Sequence, residues 1–447
     1  MQFAGQRTDM DFNPVGEPVN MLVALTEEVL PDPAAVFITG ITPQHTRDEG
    51  FSEADFLKRL HEVMLTPGTI ILGFNTVRFD DEFMRYTLYR NFYDPYEWQW
   101  KDGRSRWDVL DVVRMTRALR PDDIKWPVDA AGQPTNRLEL LTAANGLDHE
   151  SAHDALSDVR ATIAVAKLIK DKQPKLFAYL LKLRDKKEVA KLVSLDDPQP
   201  FVYASGQYPK GNLHATVAYP LAPGSTPSSV IVYDLRYDPT PWIGKTVKQL
   251  KDSRFATAEQ RQAPDFMPFP AKELAYNKCP AVAPLGVLDA AAQERVHLDL
   301  ATVEQHLALL RRSGLADKLR DVFARDGFPA AKDVDAQLYD GFIGEADKGR
   351  MSAVRAADER SLADFHPDFV DPRLEQLLLR YKARNFPRSL SQDERAAWET
   401  YRAERLGADA PGFTKTLRAL ANRATDEQQF LLQELQLWLE SIAPEAD

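Results

Sequence analysis

Short apolar runs alternate with stretches of helical spacing through the first third of the chain. V-N-M-L-V-A-L (19–25) reads as a strand, and T-I-I-L-G-F-N (69–75) is the continuous apolar run of a buried one. Between them lies A-A-V-F-I-T-G-I-T, an apolar segment closing at a turn. E-A-D-F-L-K-R-L-H-E-V-M-L then places Phe56, Leu57, Leu60 and Met64 on one side of a helix. D-E-F-M-R-Y-T-L-Y-R reads as a helix directly after the second run, and R-W-D-V-L-D-V-V-R-M fits either strand or helix. L-E-L-L-T-A-A-N-G is a helix with a good stop at Asn145-Gly146, and a further helix follows through D-A-L-S-D-V-R-A-T-I-A-V-A-K-L-I-K. The alternation predicts an α/β domain over residues 1–172.

The pattern changes near residue 193. S-L-D-D-P-Q-P reads as a linker, and F-V-Y-A-S-G, A-T-V-A-Y-P-L-A and S-S-V-I-V-Y-D-L are β-rich pieces separated by Gly and Pro. With the linker, residues 173–328 form the second predicted domain, a small barrel or sandwich. Helical patterns such as L-E-Q-L-L-L-R-Y-K-A-R and E-Q-Q-F-L-L-Q-E-L-Q-L-W-L-E-S-I dominate a third, 329–447.

Composition narrows the class. Residues 1–447 suffice for two to four domains, and no apolar run reaches the length of a spanning helix. A single cysteine, Cys279, excludes an internal disulfide framework and suits a reducing cytoplasm. The net charge of -11 argues against binding nucleic acid by bulk charge, although a local basic groove is compatible with it. Residues 167–191 hold nine Lys or Arg against three acids, either a solvated helix face or a phosphate-tracking surface.

Two short constellations carry the chemistry. Asp80 stands where T-I-I-L-G-F-N gives way to a helix, so it projects from the carboxyl end of a strand, where open α/β sheets bind ligands. Capping of that helix by Asp80 and Asp81 is the plainer alternative. His153 and Asp158, in A-H-D-A-L-S-D, lie at the start of a later helix. Acids converging on a hard divalent cation, with a histidine to take a proton from water, are the components of metal-assisted hydrolysis.

These motifs resemble the bacterial exodeoxyribonuclease I family, DEDDh exonucleases of ribonuclease H-like fold. The likeness extends through I-T-G-I-T-P-Q, G-F-N-T-V-R-F-D-D-E, S-R-W-D-V-L-D-V-V-R, N-R-L-E-L-L-T-A-A-N-G, H-D-A-L-S-D-V-R-A-T-I-A, N-K-C-P, V-D-A-Q-L-Y-D-G-F and Y-K-A-R-N-F-P, in family order over nearly the whole chain. It implies an α/β architecture: a ribonuclease H-like exonuclease domain, an SH3-like β domain and an all-α C-terminal domain. The implied activity is 3′→5′ degradation of single-stranded DNA to 5′-mononucleotides in DNA repair and recombination, with two Mg²⁺ ions expected and Mn²⁺ as an alternative. By position, the resemblance places metal-binding acids at Asp80 and Asp158, the general base at His153 and a substrate-contacting arginine at Arg137. Arg85, Tyr96, Trp100 and Arg114 fall where the family contacts the DNA strand. It also implies a monomer in the cytoplasm, with the C-terminal tail of single-strand-binding protein as a partner. Lys278, Arg311 and Arg312 are candidates for that contact.

The family's opening strand with its Asp-x-Glu motif has no counterpart in these residues. Q-F-A-G-Q-R-T-D-M-D-F-N-P-V-G-E-P resembles the segment after it, and the expectation is a natural start further upstream. Asp9 and Asp11 sit in a polar stretch read as a hairpin turn, not as replacement ligands. Two alternatives accompany the exonuclease reading. One is a catalytically impaired chain that only binds single-stranded DNA or single-strand-binding protein. The other is an RNA-trimming relative, which the domains after residue 193 disfavour.

Overall fold

A computed structural model describes residues 1–147, 154–324 and 329–443. The first unit contains β1 (Gln2–Gly5), β2 (Val19–Leu22), α1 (Pro33–Thr39), α2 (Pro43–Glu49), α3 (Glu53–Met64), β3 (Ile70–Gly73), α4 (Asp80–Arg90), β4 (Ser105–Asp108), α5 (Leu110–Leu119), α6 (Leu138–Ala144) and α7 (Ala155–Lys172). The segment at 34–42 is therefore helical. Asp32 caps it, Pro33 opens it, and Gly40 at φ 68° ends it, the Pro-in, Gly-out arrangement of a short helix. The ambiguous 106–115 stretch is both elements in succession: β4 stops at Asp108 and α5 begins at Leu110.

β1 and β2 pair antiparallel, with Gln2 opposite Leu22. β3 and β4 pair in parallel, with Gly73 opposite Asp108, and α4 makes the crossover. Among the described residues these are two separate two-stranded sheets. A cavity of about 1600 Å³ is lined by both β1 and β3, and by α4 and α7.

Two connecting helices, α8 (Pro174–Lys182) and α9 (Lys186–Leu192), lead to the second unit. Its strands are β5 (Phe201–Ala204), β6 (Ala215–Pro223), β7 (Ser229–Asp234), β8 (Ala271–Ala275) and β9 (Ala281–Pro284). They form one antiparallel sheet in the order β8-β7-β6-β5-β9, rather than the two sheets of a sandwich. The β-rich expectation for 198–328 missed the helices α10 (Thr240–Ile243), α11 (Val247–Arg254), α12 (Ala290–Arg295), α13 (Leu300–Arg311) and α14 (Leu315–Phe323). α14 carries the buried Leu315, Leu319, Val322 and Phe323, a stripe at helical spacing packed on the sheet.

The last unit is helical: α15 (Glu345–Ala356), α16 (Glu359–Ala363), α17 (Arg373–Asn385), α18 (Gln392–Ala421) and α19 (Asp426–Ile442). One apolar core runs from Trp107, Val113 and Phe177 into Phe201, Val217 and Val232, so the first two units share an interior. A second core joins Tyr89 of α4 and Phe92 just after it to Leu338, Met351 and Leu377. A third joins Val36 of α1 to Phe413 and Leu435. The helical unit is thus packed against the first through several apolar clusters, Leu406 and Trp438 also meeting Leu25 and Leu30, with burial as the main driving force.

Candidate active site

The site begins with the way β3 ends. A Cβ at Gly73 would lie 2.1 Å from the Thr76 side chain, so only glycine lets the chain fold back there. Asn75 then takes the left-handed conformation (φ 65°), a single 3₁₀ turn covers Thr76–Arg78, and α4 starts at Asp80. Asp108, at the carboxyl end of the adjacent strand, holds this turn. Its carboxylate accepts from the backbone N–H of Asn75 (2.8 Å), Val77 (3.2 Å) and Leu110 (3.0 Å). Both of its oxygens are occupied in this way, so Asp108 organises the loop instead of projecting into the cavity.

Asp80 and Asp81, adjacent in sequence, have different surroundings. Asp81 is buried and ion-paired with Arg106, with Arg85 4.0 Å away. The large cavity is lined by Asp81 and also by Asp80. Burial raises the pKa of Asp80, its own backbone amide acts in the opposite direction, and the negative charges of Asp108 and Asp158 raise it further. A group destabilised as an anion by neighbouring anions gains from a cation placed among them. Neither acid supplies the N-cap of α4: Phe79 occupies that position, with no side-chain cap bond.

Asp158 reaches the cavity from the first turn of α7. Asp154 caps that helix by accepting from the Ser157 N–H at 2.9 Å. Gln2 of β1 bridges to the same end, donating to Asp154 (3.2 Å) and accepting from the Ala155 N–H (3.3 Å). The β1 hairpin thereby fixes where α7 begins. His153 lies outside the described residues.

The remaining candidates fall into two groups. Arg137 and Arg114 line the cavity with the two aspartates. Arg137 precedes α6, is largely exposed, and pairs with Glu139. Arg114 on α5 donates Nη1 to Asp111 at 2.5 Å. Lys210 and His214, which sequence reasoning did not select, line the same cavity from the second unit, with Lys210 3.7 Å from Asp129. They sit in a Gly- and Pro-containing loop whose approach to the first unit has no local sequence signal.

Tyr96, Arg85 and Trp100 lie elsewhere. Tyr96 lines a second cavity of about 240 Å³ with Phe342, Tyr89 and Arg355. Arg85 is buried, donating to Glu82 (2.6 Å) and Gln99 (3.2 Å). Tyr339 of the helical unit donates to the other oxygen of Glu82 at 2.5 Å, so Arg85 belongs to a junction between units. Trp100 is 62% exposed. Asp9 uses its carboxylate within its own turn, accepting from Asp11 and Asn13 amides, and Asp11 pairs with Lys170. Cys279 is buried, and its thiol donates to the Arg106 carbonyl.

Comparison with known proteins gives three consecutive matches. Residues 1–166 match the family described as Exonuclease, 184–325 the Exonuclease I SH3-like domain, and 332–442 the Exonuclease I C-terminal domain. The exodeoxyribonuclease I of Haemophilus influenzae is 40% identical over 433 residues, covering 96% of this chain and 92% of that protein. The chain belongs to the exonuclease I family. The Escherichia coli exodeoxyribonuclease I is 39% identical, covering 98% of this chain and 92% of its own length. Among solved structures, E. coli exonuclease I in complex with a dA16 oligonucleotide superimposes with a TM-score of 0.94 at 38% identity, over 99% of this chain and 95% of that one. Exonuclease I from Methylocaldum szegediense gives 0.92 at 41% identity, with the same coverage. Another E. coli structure is described as a zinc-bound complex with single-stranded DNA, and a further solved structure as SSB/exonuclease I with an inhibitor. The family assigns the fold seen here, an exonuclease domain, an SH3-like domain and a helical C-terminal domain, and the hydrolytic activity of an exodeoxyribonuclease.

Proposed function

We propose that this chain degrades single-stranded DNA from the 3′ end to 5′-mononucleotides at the cavity between β1, β3, α4 and α7. The observation that carries the reading is the meeting of Asp80 and Asp158 on one cavity, from elements far apart in sequence. The oligonucleotide complexes of the E. coli relative support single-stranded DNA as substrate.

Hard carboxylate oxygens suit magnesium, or manganese in its place. Among the described residues no cluster of three or more His, Cys, Asp or Glu is placed to hold a metal. On this reading Asp80 and Asp158 supply two of the ligands, with water and substrate phosphate among the others. When bound, the ion supplies Lewis-acid polarisation of the phosphate and a more acidic water. Arg137 and Arg114 hold phosphate oxygens at the mouth, where a planar fork suits the geometry. His153 is the proposed base for the attacking water. Exposed Trp100 and half-buried Tyr96 present rings on which unpaired bases stack.

The test is release of mononucleotides from 3′-labelled single-stranded DNA with magnesium chloride. Asp158→Asn is expected to lower the rate by at least about a hundredfold with DNA binding retained; an unchanged rate refutes the assignment. The number of carboxylates found favours one further reading, a binder of single-stranded DNA or single-strand-binding protein without catalysis. Tight DNA binding with no magnesium-dependent release by the unaltered chain would establish it. The tail of single-strand-binding protein is the proposed second partner, supported by the structure described as SSB/exonuclease I, with Lys278, Arg311 and Arg312 as candidate contacts. Arg311 already donates to the Tyr219 hydroxyl at 3.3 Å. We place the protein in the cytoplasm as a monomer; no helix among the described residues is long and apolar enough to cross a membrane.

A further inference from the structure

We propose that Gly206, in the SH3-like domain, is a positioning residue for Arg114 of the exonuclease domain, so that the second domain sets the aim of a substrate-binding arginine in the first. The inference rests on the reading of Arg114 as a phosphate contact. A Cβ at Gly206 would lie 2.7 Å from Arg114 Nη2, 2.9 Å from Cζ and 3.1 Å from Nη1. The guanidinium therefore lies flat against the bare backbone of Gly206, and its opposite face and free Nη2 are directed by that contact. Asp111 takes Nη1 at 2.5 Å, and no described residue takes Nη2. Two fixed contacts, one on each side, leave the side chain a single pose at the rim of the cavity that holds Asp80 and Asp158.

The loop under Arg114 is the more rigid partner. Ser205 donates its N–H to the His214 carbonyl at 2.9 Å, Tyr208 donates to the Ser205 carbonyl at 2.9 Å, and the His214 ring contacts the Tyr208 carbonyl at 2.7 Å. Tyr208 is buried at its centre. An added methyl group thus displaces the end of a flexible arginine rather than the loop. Gly206 has no left-handed φ to protect, so its lack of a side chain is explained by this approach alone. Gly206→Ala becomes a substitution that moves one arginine and leaves the fold in place.

The experiment is a double-mutant cycle of Gly206→Ala and Arg114→Ala in the full chain, assayed on single-stranded DNA with magnesium chloride at several salt concentrations. Gly206→Ala is expected to raise KM about fivefold to tenfold, as loss of one charge-assisted hydrogen bond does, with kcat within twofold. In the Arg114→Ala background the same change should add nothing. Both single variants should flatten the salt dependence by about one phosphate contact. If Arg114→Ala raises KM and Gly206→Ala does not, or if Gly206→Ala acts equally in both backgrounds, the positioning role is overturned. A Tm loss of more than about 3 °C in Gly206→Ala overturns it too, because the loop would then have yielded. If Arg114→Ala itself leaves KM unchanged, the failure lies in the assignment of Arg114 to substrate.

Discussion

Replacing Asp108 by alanine probes whether the turn after β3 sets the position of Asp80. The substitution removes the acceptor of three backbone amides in one step. The Asn75 amide is exposed and can turn to water, so its loss costs little. The Val77 and Leu110 bonds are partly buried, and each amide left without an acceptor costs about 1–2 kcal/mol. Burial disfavours the Asp108 carboxylate, raising its pKa against the pull of the three amides, and relief of that desolvation offsets part of the loss. A net destabilisation of about 2 kcal/mol follows, or about 4–8 °C in Tm for a unit of this size. The functional effect is separate: a shift of about 1 Å in the carboxylate of Asp80 is enough to lower turnover by about a hundredfold. Asp108→Asn keeps the shape and can still accept from Asn75 and Leu110, but turns an N–H₂ toward the Val77 amide, and should give an intermediate loss. Calorimetry, amide hydrogen exchange at Asn75–Phe79 and magnesium-dependent nuclease assays measure the three effects. Wild-type exchange in the alanine variant would refute the structural argument. Faster exchange with undiminished activity would refute the link to Asp80.

Other expectations concern the junctions between domains. Arg384 of α17 donates to Glu28 (2.8 Å) of the exonuclease domain and to Asp335 (2.5 Å), all nearly buried. Arg384→Ala leaves two carboxylates without their shared partner and should cost about 3–5 kcal/mol in urea unfolding; a loss under about 1 kcal/mol would show the cluster to be wet. Burial opposes the charge of Asp335, yet Arg384 and Arg380 outweigh it and hold its carboxyl well below the usual range. Its contribution is therefore fully present above the unfolded value near pH 4 and is lost as pH falls through the lower folded value; an Asp335→Asn variant should show a weaker acid dependence in thermal melts. Cys279 is buried and its thiol pKa is raised by that burial, so a thiol reagent at neutral pH should modify it only at the unfolding rate. Prompt labelling of the native protein would contradict the placement.

Much of the fold was legible because local pattern and final environment agree. Ile70–Gly73 is apolar throughout and became a strand in a parallel pair, although it is half-buried beside the large cavity instead of fully buried; α3 buries Phe56, Leu57 and Leu60, the face its spacing marked. Where the pattern was short or ambiguous, packing decided. The 34–42 segment is a helix because Asp32, Pro33 and Gly40 punctuate it and Val36 packs on α18 and α19, and the 106–115 stretch splits at Asp108. Asp80 and Asp158 were readable as chemistry, since acids at the starts of helices beside an apolar strand have recognisable settings, although β3 ends at Gly73 and Asp80 is the first residue of α4 instead of projecting from the strand's end. Nothing in F-D-D-E distinguishes Asp80 from Asp81, though; both line the cavity, and it is the ion pair with Arg106, brought in by the parallel register of β3 and β4, that engages the Asp81 carboxylate. Arg85 and Arg114 illustrate the same division: both are cations in plausible motifs, yet one is enclosed by Glu82 and Gln99 while the other lies on Gly206 at the cavity rim. The amino-acid order determined which segments could be strands and helices and which acids could carry metal chemistry, because those depend on residue type and near neighbours. Tertiary structure alone decided which of those acids and cations face one cavity, because facing depends on contacts between residues tens to hundreds apart, for which neither periodicity nor spacing carries a signal.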